Sequence, residues 1–328
     1  MLTLQDLSYP PKGFSIGNPD DADFYRAFSD EGMPGFHHGF FVAEREGRRV
    51  CCIPYFVTDL QLNTLLPKGR LFSWLPKWSV PMACVGNPVA DLGRVEGELT
   101  PEIVELVTRR LEEKGSLVAW KGFGERLPLD GYAKAKGLPV PVIRLDGDYY
   151  GSLKSDRRNL LKRKLKKAAG LRYEVVEGLP TELLDRIYAL YLQTWEKAPL
   201  KFGRLEPDYF VRTSGGSTYL LFYLGDELIG FNQLLGKGES MMNVFVGMDY
   251  EHAHDHGLYF AMFIRSVEVA QARGCAEIEL GSTSYEFKRI LGARPLAVWN
   301  YFRHRSKPMN WLLSRCASLL EPSAEELK

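Results

Sequence analysis

Ser217–Leu224 (STYLLFYL), the pair Gly225-Asp226 and Glu227–Leu235 (ELIGFNQLL) read together as two strands joined by a tight reversal. Aromatic and branched side chains suit a pleated, half-buried surface, and Gly-Asp supplies the backbone freedom of a two-residue hairpin turn. After Gly236-Lys237-Gly238, residues 241–248 (MMNVFVGM) make a third strand, so the sheet has at least three antiparallel members. A polar stretch rich in His and Asp ends at Gly257. Beyond it Leu258, Met262, Ile264, Val267, Val269 and Ala270 fall at helical spacing, with Gly274 as the C-terminal cap. Residues 275–280 (CAEIEL) read as a short strand, 285–291 as a short helix closed by Gly292, and 297–305 (AVWNYFRHR) as a final strand. The order is β-β-β-α-β-α-β.

Working outward, the first half repeats that order more faintly. Residues 40–45 and 49–58 flank a Glu46-Gly47 turn, 80–85 suit a third strand, and 101–114 a helix with Thr100 as N-cap. Residues 116–120, a short helix near 131–136, and 140–145 complete it. The expectation is an α/β (α+β) chain of two related units, each a mixed, mainly antiparallel sheet flanked by helices. The boundaries expected are 1–148, 149–306 and a C-terminal amphipathic helix and tail over 307–328, where Trp311, Leu312, Leu319 and Leu320 supply an apolar face for docking on the body of the protein, the commonest use of such a face, for dimerisation or for a membrane. Between the halves lies a basic helix over 155–170, capped by Ser155 or Asp156, striped by Leu160, Leu161 and Leu165, and ended by Gly170. A further helix spans 181–197, with Leu184, Ile187, Leu190 and Tyr191 at helical spacing and Pro199 just past its end.

Length and composition agree with this division. The chain of 328 residues exceeds what one core usually organises, and 45% hydrophobic with 25% charged residues is ordinary for a globular protein. The first twenty residues lack the basic-then-apolar pattern of a signal peptide, and no apolar run is long enough to span a bilayer. Five cysteines, odd in number and without CxxC pairing, argue against a disulfide framework or a structural zinc site, so the expected location is cytoplasmic. Net charge is +1, yet residues 154–167 hold eight cations against Asp156 alone, so any attraction to an anion is local.

The strand, turn and helix over 243–273 resemble the acyl-CoA-binding segment of the GNAT superfamily of N-acyltransferases. Residues 281–288 (GSTSYEFK) and 291–295 (LGARP) resemble its Fem-like branch, in which a basic helix also precedes the second unit, as residues 157–167 do here. The likeness covers about 150–305 well and the first half by strand order alone. One departure stands out: the common phosphate loop Q/R-x-x-G-x-G/A has two glycines, whereas residues 250–259 (YEHAHDHGLY) hold only Gly257. The resemblance implies transfer of an acyl group from acyl-CoA to an amine. Its Fem-like alternative is an aminoacyl-tRNA donor and peptide-bond formation, and a non-catalytic binding module would also carry a degraded loop.

Candidate site residues follow from the chemistry. The amides of His256, Gly257, Leu258 and Tyr259, at a helix N-terminus, are placed to face the donor's pyrophosphate, unless Gly257 merely turns the chain. His254 can serve as general base or as charge near phosphate. His252, His254 and His256 alternate, but in a loop and without a fourth ligand, so no metal is expected. Tyr285 occupies the region where GNAT-like enzymes place a tyrosine acid, and Lys288 follows by three residues. Asn232 and Gln233 interrupt an apolar strand at adjacent positions, so one of them faces the buried side or the cleft. Trp195, Lys201, Phe202 and Tyr209 are expected around the acceptor amine, with Lys201 or Arg204 suited to a carboxylate on it. The basic helix can meet tRNA phosphates, an anionic membrane surface, or water; without interleaved aromatics it reads as solvated or phosphate-steering. The partners expected are a small-molecule amine and, for the alternative donor, tRNA, with no integral membrane insertion and a monomer or homodimer.

Overall fold

A computed structural model describes residues 1–16, 22–28, 32–61, 79–198, 203–236, 238–324 and 326–327. In chain order the elements begin with β1 (Leu2–Leu7), α1 (Ala22–Arg26), β2 (His37–Arg45), β3 (Arg48–Gln61), β4 (Ser79–Val85), β5 (Glu96–Gly97), α2 (Pro101–Lys114), β6 (Leu117–Phe123) and β7 (Ala133–Lys136). They continue with β8 (Val140–Arg144), α3 (Tyr149–Ser152), α4 (Ser155–Lys167), β9 (Leu171–Glu177), α5 (Leu184–Lys197), α6 (Pro207–Arg212), β10 (Ser217–Leu224), β11 (Glu227–Leu235), β12 (Ser240–Met248), α7 (Tyr250–Ala253) and α8 (Leu258–Ala272). The last are β13 (Glu277–Glu279), α9 (Tyr285–Ile290), β14 (Arg294–Leu296), β15 (Trp299–His304) and α10 (Lys307–Cys316).

These elements form two units that repeat one plan. The main sheet of the first unit runs β1-β2-β3-β4-β6-β15-β7, with β5 hung on β3, and that of the second runs β9-β10-β11-β12-β13-β8-β14. Position by position the orders coincide. In each, the only parallel neighbours among the described residues are the fourth and fifth strands, β4 with β6 and β12 with β13. The sixth strand of each sheet is exchanged: β8 pairs with β13 and β14, and β15 with β6 and β7.

The exchange corrects the expected boundaries. Residues 140–145 belong to the second unit and 297–305 to the first, so the second unit is residues 140–296 instead of 149–306. The tail over 307–328 is not separate, because α10 belongs to the first unit. Strand propensity is local, while the choice of sheet is made by pairing partners more than a hundred residues away. Other local readings shift too. Residues 133–136 are a strand on β15, not a helix, with Ala133 and Ala135 buried and Lys134 and Lys136 exposed. Ser155 opens α4 as a helical residue, with Lys154 at the cap position and no side-chain cap bond. Edge strands β1, β9 and β14 and the short helices α1, α6 and α7 carried too little apolar periodicity to be anticipated.

Each unit has its own core. In the second, α8 covers one face of the sheet with Leu258, Met262, Ile264 and Val267, joined by Leu161 of α4. On the opposite face Tyr191, Tyr209, Phe210, Phe231 and Phe245 pack edge to face. Gly247 lets α5 lie directly on β12: a Cβ there would meet Phe231 Cε1 at 2.2 Å, Tyr191 N at 2.7 Å and Leu190 C at 2.8 Å. Two of those atoms are helix backbone and cannot step aside. Gly247→Ala is therefore expected to destabilise the second unit by about 2 kcal/mol or more in urea unfolding. Gly170→Ala, with nothing within 4 Å of the new methyl, should leave the midpoint nearly unchanged.

Candidate active site

The site begins where two parallel strands part. β12 pairs with β13 only through Ser240↔Glu277, Met241↔Ile278 and Met242↔Glu279. β12 then runs on to Met248 with β11 on one side only. On β11, Gln233 pairs with Phe245 and Leu234 with Asn243, which leaves Val244 without a partner. Such a bulge bends and twists the strand, and it falls where β12 leaves β13. Residues 243–248 thus form an open edge of about 20 Å, and Val244, Phe245 and Val246 are half-buried although the strand is central.

Helix α8 starts beside that strand. Gly257 is its N-cap at φ 60°, ψ 27°, and no side chain caps the helix. The first helical rung is Ala261 N–H to Gly257 O, so the amides of Leu258, Tyr259 and Phe260 precede the ladder. The amides of His256 and Gly257, in contrast, donate to His252 O and His254 O within their own turn. Of the four amides expected to face phosphate, two are spent locally; Phe260 joins the remaining two because the helix begins one residue after the cap.

The basic helix is more than a solvated face. Leu161 anchors α4, and the next turn places Lys164 Nζ 3.9 Å from the centroid of the Phe260 ring. Lys167 Nζ donates to His254 O at 2.7 Å, and its methylenes would touch a Cβ at Gly257 at 3.5 Å. Two ammonium groups therefore stand at the α8 N-terminus, adding to the dipole there. No cation of α4 joins an ion pair among the described residues, whereas Arg172, Arg186, Arg204, Arg212, Arg265 and Arg273 of the same unit all do. The Leu-Leu stripe with Lys164 and Lys167 one turn on was the available signal for these two lysines.

The loop after β13 closes the other side. Burial holds the Tyr259 phenol above its ordinary range, partly offset by its hydrogen bond with Ser284. Ser284 sits at φ 52°, left-handed for a residue with a side chain, and Tyr285, buried, follows it at the start of α9. Lys288 is 1% exposed and donates to Gly281 O at 2.8 Å, holding the loop. Glu279, 2% exposed, ends β13 at the fork, and these are the only two charged side chains buried among the described residues. Buried charges concentrate at functional sites. Glu279 alternates with Glu277 about Ile278, the pattern of an exposed strand face, so the sequence carries no signal that it is buried.

The remaining candidates are distributed otherwise. Asn232 faces α8: its Nδ2 and that of Asn243 both donate to Ser266 Oγ, at 3.1 and 3.4 Å, and Ser266 donates to Met262 O. That cluster ties β11 and β12 to α8, a structural amide. Gln233 points to the opposite face and donates to Thr213 Oγ1 and Ser217 Oγ, each at 2.8 Å, beside Tyr209. His254 is 91% exposed beside Asp255, away from the enclosure a general base requires. His252 lies 3.5 Å from Asp249, and among the described residues no group of three or more His, Cys, Asp or Glu could hold a metal. Trp195 Nε1 donates to Gly203 O, and Arg204 pairs with Glu206. Lys201 and Phe202 lie outside the described residues.

The first unit has the same fork without the opening. β4 pairs with β6 from Met82↔Leu117 to Val85↔Trp120, up to the last residue of β4. The stretch after it is laced by Lys121 Nζ, which donates to the carbonyls of Asn87, Pro88 and Ala90. Helix α2, the counterpart of α8, is capped by its own Thr100 hydroxyl, which accepts from Ile103 N–H.

A parallel fork with a bulged strand and an uncapped helix at its open edge defines an acyltransferase-like fold. Residues 155–289, within the second unit, match the family described as acetyltransferase (GNAT) domain. Among solved structures, the C-terminal domain of a lysylphosphatidylglycerol synthetase from Agrobacterium fabrum has a TM-score of 0.62 at 15% identity, covering 90% of this chain and 91% of that one. FemX has 0.52 at 11%, covering 91% and 96%. A tandem GNAT protein of the clavulanic acid pathway has 0.50 at 12%, covering 93% and 99%. These are likenesses of fold. In sequence, the chain is 25% identical to 8-amino-7-oxononanoate synthase 2 of Mycobacterium tuberculosis, over 88% of this chain and 42% of that protein, so it spans less than half of that relative.

Four of the five cysteines are buried in a way that disfavours their thiolates. Burial pushes Cys51, Cys52 and Cys84 up to about 12 and raises Cys275. A raised thiol pKa means little thiolate at pH 8. Ellman's reagent at that pH is expected to modify half-buried Cys316 first in the folded protein, and all five thiols only after denaturation.

Proposed function

We propose that the chain is an N-acyltransferase whose second unit moves an acyl group from a thioester of coenzyme A to the amine of a small molecule or amino acid. The observation that carries this reading is the contrast between the two helices at the two forks: α2 satisfies its N-terminus with Thr100, whereas α8 has Gly257, no cap, and Lys164 and Lys167 beside it. An anion is the natural complement of such a terminus. In this reading the pyrophosphate sits against the amides of Leu258, Tyr259 and Phe260, and the two lysines supply what the missing second loop glycine would.

The thioester then lies along the open edge of β12, where main-chain N–H groups of 243–248 can polarise the carbonyl. The amine attacks the carbonyl carbon, the C–S bond breaks, and Tyr285 returns a proton to the leaving thiolate. Glu279, at the fork, is the enclosed base that His254 is not. The acceptor approaches from the aromatic face, beside Trp195, Tyr209 and Gln233.

A specific observation also favours the second donor, an aminoacyl-tRNA. Beyond Lys164 and Lys167, α4 carries exposed cations at Lys162, Arg163 and Lys166, none in an ion pair among the described residues, which extend the positive track past what one pyrophosphate uses. The two donors separate in one experiment. Acetyl-CoA at about 100 times its dissociation constant should stabilise the protein by about 2.7 kcal/mol in thermal denaturation. Lys164→Gln with Lys167→Gln should weaken that binding about tenfold, and Tyr285→Phe should lower kcat about 100-fold while the donor still binds. Stabilisation by charged tRNA alone, steeply lost between about 50 and 200 mM salt, would transfer the assignment to the second donor. If neither ligand binds, the transferase reading fails.

A further inference from the structure

Helix α10 divides its apolar side chains unevenly. Its inward side holds Asn310, which accepts from His304 N–H through Oδ1 and donates to Gly131 O through Nδ2, half-buried Leu313 and, just beyond the helix, buried Ala317 and half-buried Leu320. Most of its large apolar residues point the other way. Trp311 is 61% exposed and Leu319 58%, and Met309 and Leu312 are exposed as well. On a helical projection Trp311, Pro308, Leu312 and Met309 form one continuous outward arc, which Leu319 extends. An amphipathic helix that served only the fold of its unit would face the other way, and exposed contiguous apolar surface marks an interaction site.

The charge around that arc selects the partner. Residues 303–320 (RHRSKPMNWLLSRCASLL) contain no acid. Arg303 is paired with Glu112, but among the described residues Arg305, Lys307 and Arg315 join no ion pair, and Arg315 lies over the Trp311 ring at 5.4 Å. An indole beside arginine, leucines and methionine, with cations on the rim, is the composition that seats a helix in the headgroup layer of an anionic bilayer. A protein partner of matching shape would need no bias in sign across eighteen residues, and a second copy of this chain would bring the same cations against each other. No helix among the described residues is long and apolar enough to cross a membrane, so the contact is peripheral.

We infer that the outward face of α10 binds anionic membrane surfaces, with Trp311 and Leu312 inserted at the headgroup level and Arg305, Lys307 and Arg315 against lipid phosphates. Flotation with vesicles tests it. The full chain should float with vesicles of phosphatidylcholine containing about one third phosphatidylglycerol, should ignore pure phosphatidylcholine, and should be released between about 50 and 500 mM salt. Trp311→Ser with Leu312→Ser should weaken binding at least about tenfold. Arg305→Gln, Lys307→Gln and Arg315→Gln together should do the same by a separate route. All five positions are exposed, so the fold and its melting temperature should be retained. Absence of flotation on anionic vesicles, or equal flotation of the wild type and both variants, overturns the inference. So does a dimer in light scattering that the serine variant dissociates while vesicles are ignored, since the face would then belong to a second copy.

Discussion

Everything at the site depends on a short parallel register. β12 and β13 share three paired residues and then separate at Met242 and Glu279. Were the pairing continued as it is between β4 and β6, the edge of residues 243–248 would be closed by hydrogen bonds, and no carbonyl could lie along it. The bulge at Val244 and the Ser266 cluster hold the divergence: one turns the strand, and the other pins Asn243, the first residue past the β13 pairing, to α8.

Comparing the two units turns the same plan into a controlled contrast. Among the described residues both sheets have the same strand order, one parallel pair at the same place and an interior sixth strand, β15 in the first and β8 in the second. The first unit closes its fork to the strand end, fills the turn with Lys121 and caps α2 with Thr100. The second leaves each of those places open. The second unit draws its whole sheet from the continuous stretch 140–296, whereas the first completes its sheet with β15, which follows that stretch in the chain.

What the sequence made legible was local. The hairpin of β10 and β11, the strand β12, the helix α8 with Gly257 ahead of it, and the Thr100 cap all follow from spacing and turn chemistry within a few residues. The fork at Met242, the exchange of β8 with β15 and the destination of Asn232 depend on partners far away in the chain, and no local pattern encodes them. The site was legible to the same degree. Gly257, Leu258, Tyr259 and Tyr285 lie at or beside the opening, and Lys288 was marked although its buried hold on Gly281 was not foreseen. Lys164 and Lys167 were visible as charge but not as neighbours of Gly257. Glu279 was hidden by an alternation that suits a half-exposed strand, whereas β13 is interior. His254 was favoured for its chemistry and lies out in solvent.

The central claim is that the uncapped start of α8 and the open edge of β12 together hold a phosphorylated acyl carrier. Amide hydrogen exchange with and without saturating acetyl-CoA addresses it residue by residue. The account predicts added protection at 258–260 and along 243–248, with the corresponding start of α2 at 102–103 unchanged. Protection confined to the first unit, or none at 258–260 when the ligand is bound, would contradict it.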